Sequence, residues 1–275
     1  KYVLPLMILS HIGVWYLVFF FLKVPNFSFT DTSFIDFMIH HQGEFYATLM
    51  MRLISFNISL ACRFKYAEKL FYGLDKAYLI HKYTGYLVFF LVLMHNATII
   101  SYTNNYIGFF SLSKEVANPM FYALLLSIVA SALPHIPFVK KYLNIPYHIW
   151  KVLHFLMWPI FFVGIYHSFG TNSFAMNNPI LAIYMYSVYI IGIYCFFYRI
   201  YLYKFFKIER DYKIIKIKRY NDSQIIELYL FPRTVRKRKL RWKPGQFAFF
   251  KFEREGFKES HPFTISNMQN INGLV

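Results

Sequence analysis

The chain has 275 residues, 57% hydrophobic and 22% aromatic, with a formal net charge of +17. Together with a mean hydropathy of +0.36, this excludes an ordinary soluble domain and points to an integral membrane protein. The charge is uneven: from Lys204 onward 17 Lys/Arg stand against 7 Asp/Glu, so 72 residues carry +10 of the total. Cys62 and Cys195, the only cysteines, both fall in apolar runs, so neither a disulfide framework nor a zinc site is indicated.

Taken in chain order, six stretches are expected to cross a membrane, at roughly 20 apolar residues each. They are 3–22, 45–62, 77–101, 119–133, 148–169 and 179–203, the fourth being short and closed by Pro134. The first run is about long enough to span, so no cleavable signal is expected, and the opening Lys1 suggests a trimmed or partial product. Arg63, Lys65, Lys69 and Lys76 follow span two, Lys140 and Lys141 precede span five, and the basic tail follows span six. The opposite loops hold only Lys23 and Lys114. By the positive-inside rule both termini are cytoplasmic, and spans one, three and five run outward in parallel.

The tail changes character. "YKIIKIKRY", "QIIELYLF" and "GQFAFFKF" read as short antiparallel strands. The expected fold is an all-α six-helix membrane bundle over 1–203, followed by a small cytoplasmic antiparallel β-barrel over 204–275. The sequence stops at "NINGLV", which reads as the start of another strand, so the barrel is expected to be incomplete.

Span three carries His81 and His95, and span five carries His154 and His167. Separations of 14 and 13 residues correspond to rises of about 21 and 20 Å. On parallel spans His81 lies level with His154 on the cytoplasmic side, and His95 with His167 on the outer side. Ionisable rings in a bilayer are costly and mark function. A lone buried histidine is ordinarily a helix-interface group, but two facing pairs can ligate two stacked b-type haems. Helical phase complicates this, because 13 residues leave His154 and His167 about 140° apart on an ideal helix. Pro159, between them, is a candidate for a kink that corrects part of the mismatch. His11, His40, His41, His135 and His148 lack such partners and read as interface or loop groups, although His40–His41 is a weak candidate for an outer metal.

Arg52 sits inside span two. It either snorkels to a headgroup or faces inward on the outer half, pairing with a haem propionate or an anionic product. The basic run 233–243 reads as a solvated hairpin, with anionic headgroups as the other option.

At these residues the chain resembles a known family. "CRF", "GLDKAYLIHKYTGY…MHNAT" and "WKVLHFLMWPIFFVGIYHSFG" are similar to the ferric reductase-type transmembrane domain of NADPH oxidases and ferric-chelate reductases. "WKPGQFAFFKF" followed by "ESHPFTIS" resembles the FAD-binding barrel of the same flavocytochromes. The resemblance implies an oxidoreductase in which NADPH or NADH reduces FAD, and electrons pass by an inner and an outer haem b to an external acceptor. His81 and His154 would hold the inner haem iron, His95 and His167 the outer. Gln246, His261, Pro262, Phe263 and Thr264 would contact FAD, with Phe263 against the isoalloxazine ring. Arg52 falls where the oxidases place an arginine near the outer haem and its acceptor site.

The chain departs from the family in carrying no G-x-G-x-x-G and no nicotinamide-binding lobe. That lobe is expected in a further C-terminal part or a partner chain. The expected acceptor is O2, giving superoxide, since the outer loops 101–118 and 170–178 carry little charge. A ferric chelate by the same electron path is the alternative, and a haem-bearing conduit subunit of a larger complex is another. A proton channel with a histidine relay would leave the tail unexplained. Nucleic-acid binding is not expected of a segment beside a bilayer.

Overall fold

An unbroken apolar run, with its one proline in the first turn where no helical bond is lost, forms helix α1 (Val3–Phe21). His11, Trp15, Val18 and Phe19 make a buried stripe, while Leu6, Leu9, Leu17, Phe20 and Phe21 are exposed. That outer face suits lipid, since a helix satisfies its own backbone without water. The computed structural model describes residues 2–21, 32–64, 69–103, 119, 122–129, 137–142, 145–170, 173–206, 211–220, 226–233, 247–253 and 261–265. The chain divides into two compact units, Lys1–Phe205 and Phe206–Val275.

In the first unit α1 is followed by α2 (Thr32–Ala61), α3 (Leu74–Thr103) and a short α4 (Pro137–Tyr142). Then come α5 (Tyr147–Phe155), α6 (Met157–Gly170), the single turn α7 (Phe174–Asn177) and α8 (Pro179–Phe197). A π-helical segment, Tyr198–Leu202, extends α8. Four helical stretches are long and apolar enough to cross a membrane: Val3–Phe21, Leu74–Ile99, His148–Gly170 and Pro179–Leu202. The chain is thus a membrane protein with four such helices among the described residues, against an expectation of six spans. The expected second span lies in α2, which begins at Thr32 rather than 45 and carries Asp36, Glu44 and Arg52. The expected fourth span is helical at 122–129, and part of it lies outside the described residues.

The polar helix is the hub. α2 packs against α1, α3, α6, α7 and α8, burying His41, Glu44, Thr48 and Ser55. Polar groups are costly against hydrocarbon, so the helix that carries them belongs inside the bundle. Two pairs of bonds give its directions. Asn57 meets His81 and Gly43 meets His95, so α2 and α3 are antiparallel. Ser55 Oγ donates to the Val188 carbonyl at 2.8 Å and Cys62 Sγ to the Cys195 carbonyl at 3.1 Å, so α2 and α8 are parallel. Between lipid-embedded helices packing and such bonds provide the attraction, each bond averaging about 0.6 kcal/mol. Close approach also needs small residues. The Phe161 ring, fully buried, lies on the bare backbone of Gly192, where any β-carbon would collide with it.

Span five is broken where the histidine phase demanded a correction. Helix α5 stops at Phe155 and α6 starts at Met157. At the junction the Leu156 N–H bonds the Leu153 carbonyl, three residues back, at 3.2 Å. Pro159 offers no N–H to the Phe155 carbonyl, which loosens the helix at this point. A three-residue turn advances each residue by about 120° rather than 100°, which changes the phase of α6 relative to α5.

In the second unit β1 (Tyr212–Arg219) pairs antiparallel with β2 (Ile226–Pro232), with an irregularity between Ile214 and Lys216. β3 (Phe247–Phe250) pairs antiparallel with β4 (His261–Thr264). The described strands thus form two two-stranded antiparallel sheets, in a region where an incomplete antiparallel barrel was expected. All but Arg233 of the basic run 233–243 lies outside the described residues.

Candidate functional site

His81 and His95 fall within about 40° of one face of α3, and both address the backbone of α2. His81 Nδ1 lies 3.2 Å from the Asn57 carbonyl oxygen, and His95 Nδ1 lies 2.9 Å from that of Gly43. A carbonyl can only accept, so in each ring Nδ1 carries the proton and Nε2 of the neutral imidazole keeps its lone pair. This second partner is how proteins orient imidazoles that ligate metals.

Helix α5 supplies the facing ring at the first level. The His81 and His154 ring centroids are 5.8 Å apart, with planes at 67°. A metal held between two imidazoles at about 2 Å needs centroids about 6 Å apart. Trp150, one turn before His154, stacks on its ring at 5.2 Å and 7°. At the second level His167, on α6, lies within electrostatic reach of His95. Its Nδ1 is buried without a hydrogen-bond partner among the described residues. A buried ring nitrogen is costly to leave without a partner. The His81–His154 pair therefore fits bis-histidine ligation in donor type and spacing, and His95 with His167 matches it in donor type. No group of three or more His, Cys, Asp or Glu side chains gathers among the described residues, so a cage made wholly of protein ligands is not formed there.

Arg52 is the remaining residue that the sequence singled out in the bundle. Nine residues from Gly43, it lies about 180° round α2, on the face turned to α1 and α8. Its Nη2 donates to Ser10 Oγ at 3.0 Å, and its guanidinium lies 5.3 Å from the Tyr184 ring centroid. His11 completes this group, with Nδ1 2.7 Å from the Tyr184 hydroxyl and Nε2 3.3 Å from Thr48 Oγ1. Arg52 therefore belongs to a polar seam between helices, on the side of α2 away from His95.

Sequence reasoning missed Gly43, Asn57 and Glu44. The first two act through backbone carbonyls, which carry no residue signature. Glu44 is buried, and its carboxylate accepts from the Phe174 N–H at 2.9 Å and the Ala175 N–H at 3.3 Å. His40 Nδ1 lies 3.5 Å from the same carboxylate. These bonds tie the turn after α6 to the first half of α2. An acidic residue just ahead of an apolar run was the available signal.

In the second unit the His261–Thr264 strand lies against Phe247–Phe250, pairing Phe250 with His261, Phe249 with Pro262, Ala248 with Phe263 and Phe247 with Thr264. Alternation puts His261 and Phe263 on one face and Thr264 on the other. The Phe263 ring is 38% exposed and is held edge-on by Phe250 at 5.6 Å and Phe252 at 5.8 Å. That leaves a flat aromatic surface open to a planar partner. Gln246 lies outside the described residues.

No curated protein matches the chain. A family model described as an FAD-binding domain matches residues 211–275, the whole of the described strand region. With that match the tail is FAD-binding, and the chain is a membrane flavoprotein suited to flavin-dependent electron transfer.

Proposed function

We propose that the chain is the electron-carrying core of an NADPH oxidase-like flavocytochrome, moving electrons from NAD(P)H by way of FAD and two b-type haems to O2 on the outer face. The observation that carries this reading is the meeting of His81 with His154 inside the apolar bundle, in a chain whose tail matches an FAD-binding domain. Haem bound at the two histidine pairs would supply one-electron carriage across a layer that ions do not cross. His81 with His154 would hold the inner haem, and His95 with His167 the outer.

The polypeptide's part is positional. The Asn57 and Gly43 carbonyls keep protons on Nδ1 of His81 and His95 and so leave Nε2 free for iron. Trp150 fixes the plane of the His154 ring. The histidine levels stand about 21 Å apart along α3, a distance that two large planar cofactors in series would bridge. In the tail the exposed Phe263 ring offers a flat face to the flavin, with His261 on the same side of the strand. Thr264, Pro262 and Gln246 are assigned to FAD by resemblance. The nicotinamide-binding lobe is assigned to a further segment or a partner chain. O2 is preferred to a ferric chelate because the outer loops 101–118 and 170–178 carry little charge to engage one. Each electron delivered there converts one O2 to superoxide.

The test uses the full chain in sealed vesicles, loaded with haem and FAD, with an impermeant reductant on the tail side. Superoxide trapped on the opposite side, and lost with His95→Leu, is the expected result. Haem reduction without superoxide, but with reduction of an added ferric chelate, would replace O2 as acceptor. No electron crossing in haem-replete protein would end the reading.

A further inference from the structure

The contact of α2 with α3 is built twice on one repeat. Gly43 and Asn57, His81 and His95, and Thr84 and Thr98 are each 14 residues apart, a rise of about 21 Å on either helix. In each tier an α2 carbonyl receives the histidine Nδ1–H. In each, the threonine three residues beyond that histidine bonds back into α3. Thr84 Oγ1 reaches the Ile80 and His81 carbonyls, and Thr98 Oγ1 the Met94 and His95 carbonyls at 3.0 and 2.8 Å.

The tiers differ in the α2 side chain. At the first, Asn57 fills the space and its Oδ1 accepts from Thr84 Oγ1. At the second there is no side chain. A β-carbon on Gly43 would stand 2.8 Å from Thr98 Oγ1, 3.3 Å from Ile99 Cδ1 and 3.4 Å from Thr98 Cβ. The Thr98 hydroxyl is held by two carbonyls and does not yield freely. A side chain at 43 would therefore push α2 off α3 at the point where the Gly43 carbonyl takes the His95 proton.

Resting on the haem reading above, we infer that Gly43 is a positioning residue of the outer haem: its missing side chain lets its carbonyl hold His95 Nδ1–H and present Nε2 to iron. A hydrogen bond at Nδ1 makes an imidazole a stronger donor, so this contact also sets the potential of that haem. The inner haem has its own contact at Asn57 and is independent of Gly43.

The experiment is a redox titration with low-temperature electron paramagnetic resonance on the purified full chain, its Gly43→Ala and Thr98→Ala variants, and the double variant. Wild type is expected to show two low-spin haems. In Gly43→Ala one midpoint should rise, its resonance should shift, and haem retention at that site should fall about tenfold. The other midpoint should stay. Thr98→Ala, which opens the space, should leave both midpoints in place, and the double variant should restore the wild-type pair. Unchanged midpoints in Gly43→Ala, or a double variant as shifted as the single, would overturn the inference. If Gly43→Ala does not fold, the double variant decides by the same criterion. Wild-type protein without haem would instead defeat the functional reading on which this rests.

Discussion

The two tiers of the α2–α3 contact use the same histidine, carbonyl and threonine at the same spacing, yet they are closed in different ways. The first is pinned by a side chain, with Asn57 linked to Thr84 and a Trp150 stack behind His154. The second is pinned by backbone proximity at Gly43 and by the Glu44 carboxylate, which holds the turn at Phe174 and Ala175. The lesson is that equal spacing fixes where the histidines stand, while their neighbours decide how firmly each is held. A tier closed by side chains tolerates small shifts of the helix. A tier closed by backbone contact does not.

The comparison breaks most visibly at the histidines. His95→Leu or His167→Leu should halve the haem per polypeptide and leave the other site spectrally intact, and His81→Leu or His154→Leu should do the converse. Haem extracted per mole of protein reads this directly. Losing all haem from any one change would show that the tiers are not independent. A smaller effect is expected at Glu44→Ala, which removes two hydrogen bonds at about 1 kcal/mol for each, less whatever the freed N–H groups recover from water. The melting temperature in detergent should drop and proteolysis at 173–178 should quicken, while the His81–His154 site keeps its spectrum.

Thr84→Val removes the Asn57 link and should cost about 1 kcal/mol. It should move only the midpoint of the inner site. The smallest change belongs to Arg52→Lys, because Arg52 lies on the far face of α2 beside Ser10 and Tyr184. Both midpoints should stay in place. An outer midpoint that moves with this variant would show that Arg52 reaches the haem after all.

What the sequence made legible was whatever carries a strong energetic signature. Apolar length exposed the membrane helices, and the cost of ionisable groups in hydrocarbon singled out His81 and His154, whose rings meet in the fold. Pro159 announced a disturbance in span five, and the break came at Leu156, three residues before it. Hydropathy misjudged α2, because Asp36, Glu44 and Arg52 hid a helix that runs from Thr32. Gly43 and Asn57 were invisible because their role lies in carbonyls that every residue possesses. The face chosen by Arg52 depended on which helices surround α2, and a single sequence does not state that. In the tail the alternating strands were plain. The His261–Thr264 segment was noticed as a motif, and its pairing with Phe247–Phe250 emerged only from the fold.

The central claim is that two histidine pairs hold two haems in one apolar bundle. It is tested most directly by a reduced-minus-oxidised absorbance spectrum of the purified wild-type chain, with haem quantified per polypeptide. The account predicts two b-type haems per chain, both low-spin. A folded chain that binds no haem under haem-replete expression would contradict it, and would leave the four histidines as helix-interface groups beside an FAD-binding tail.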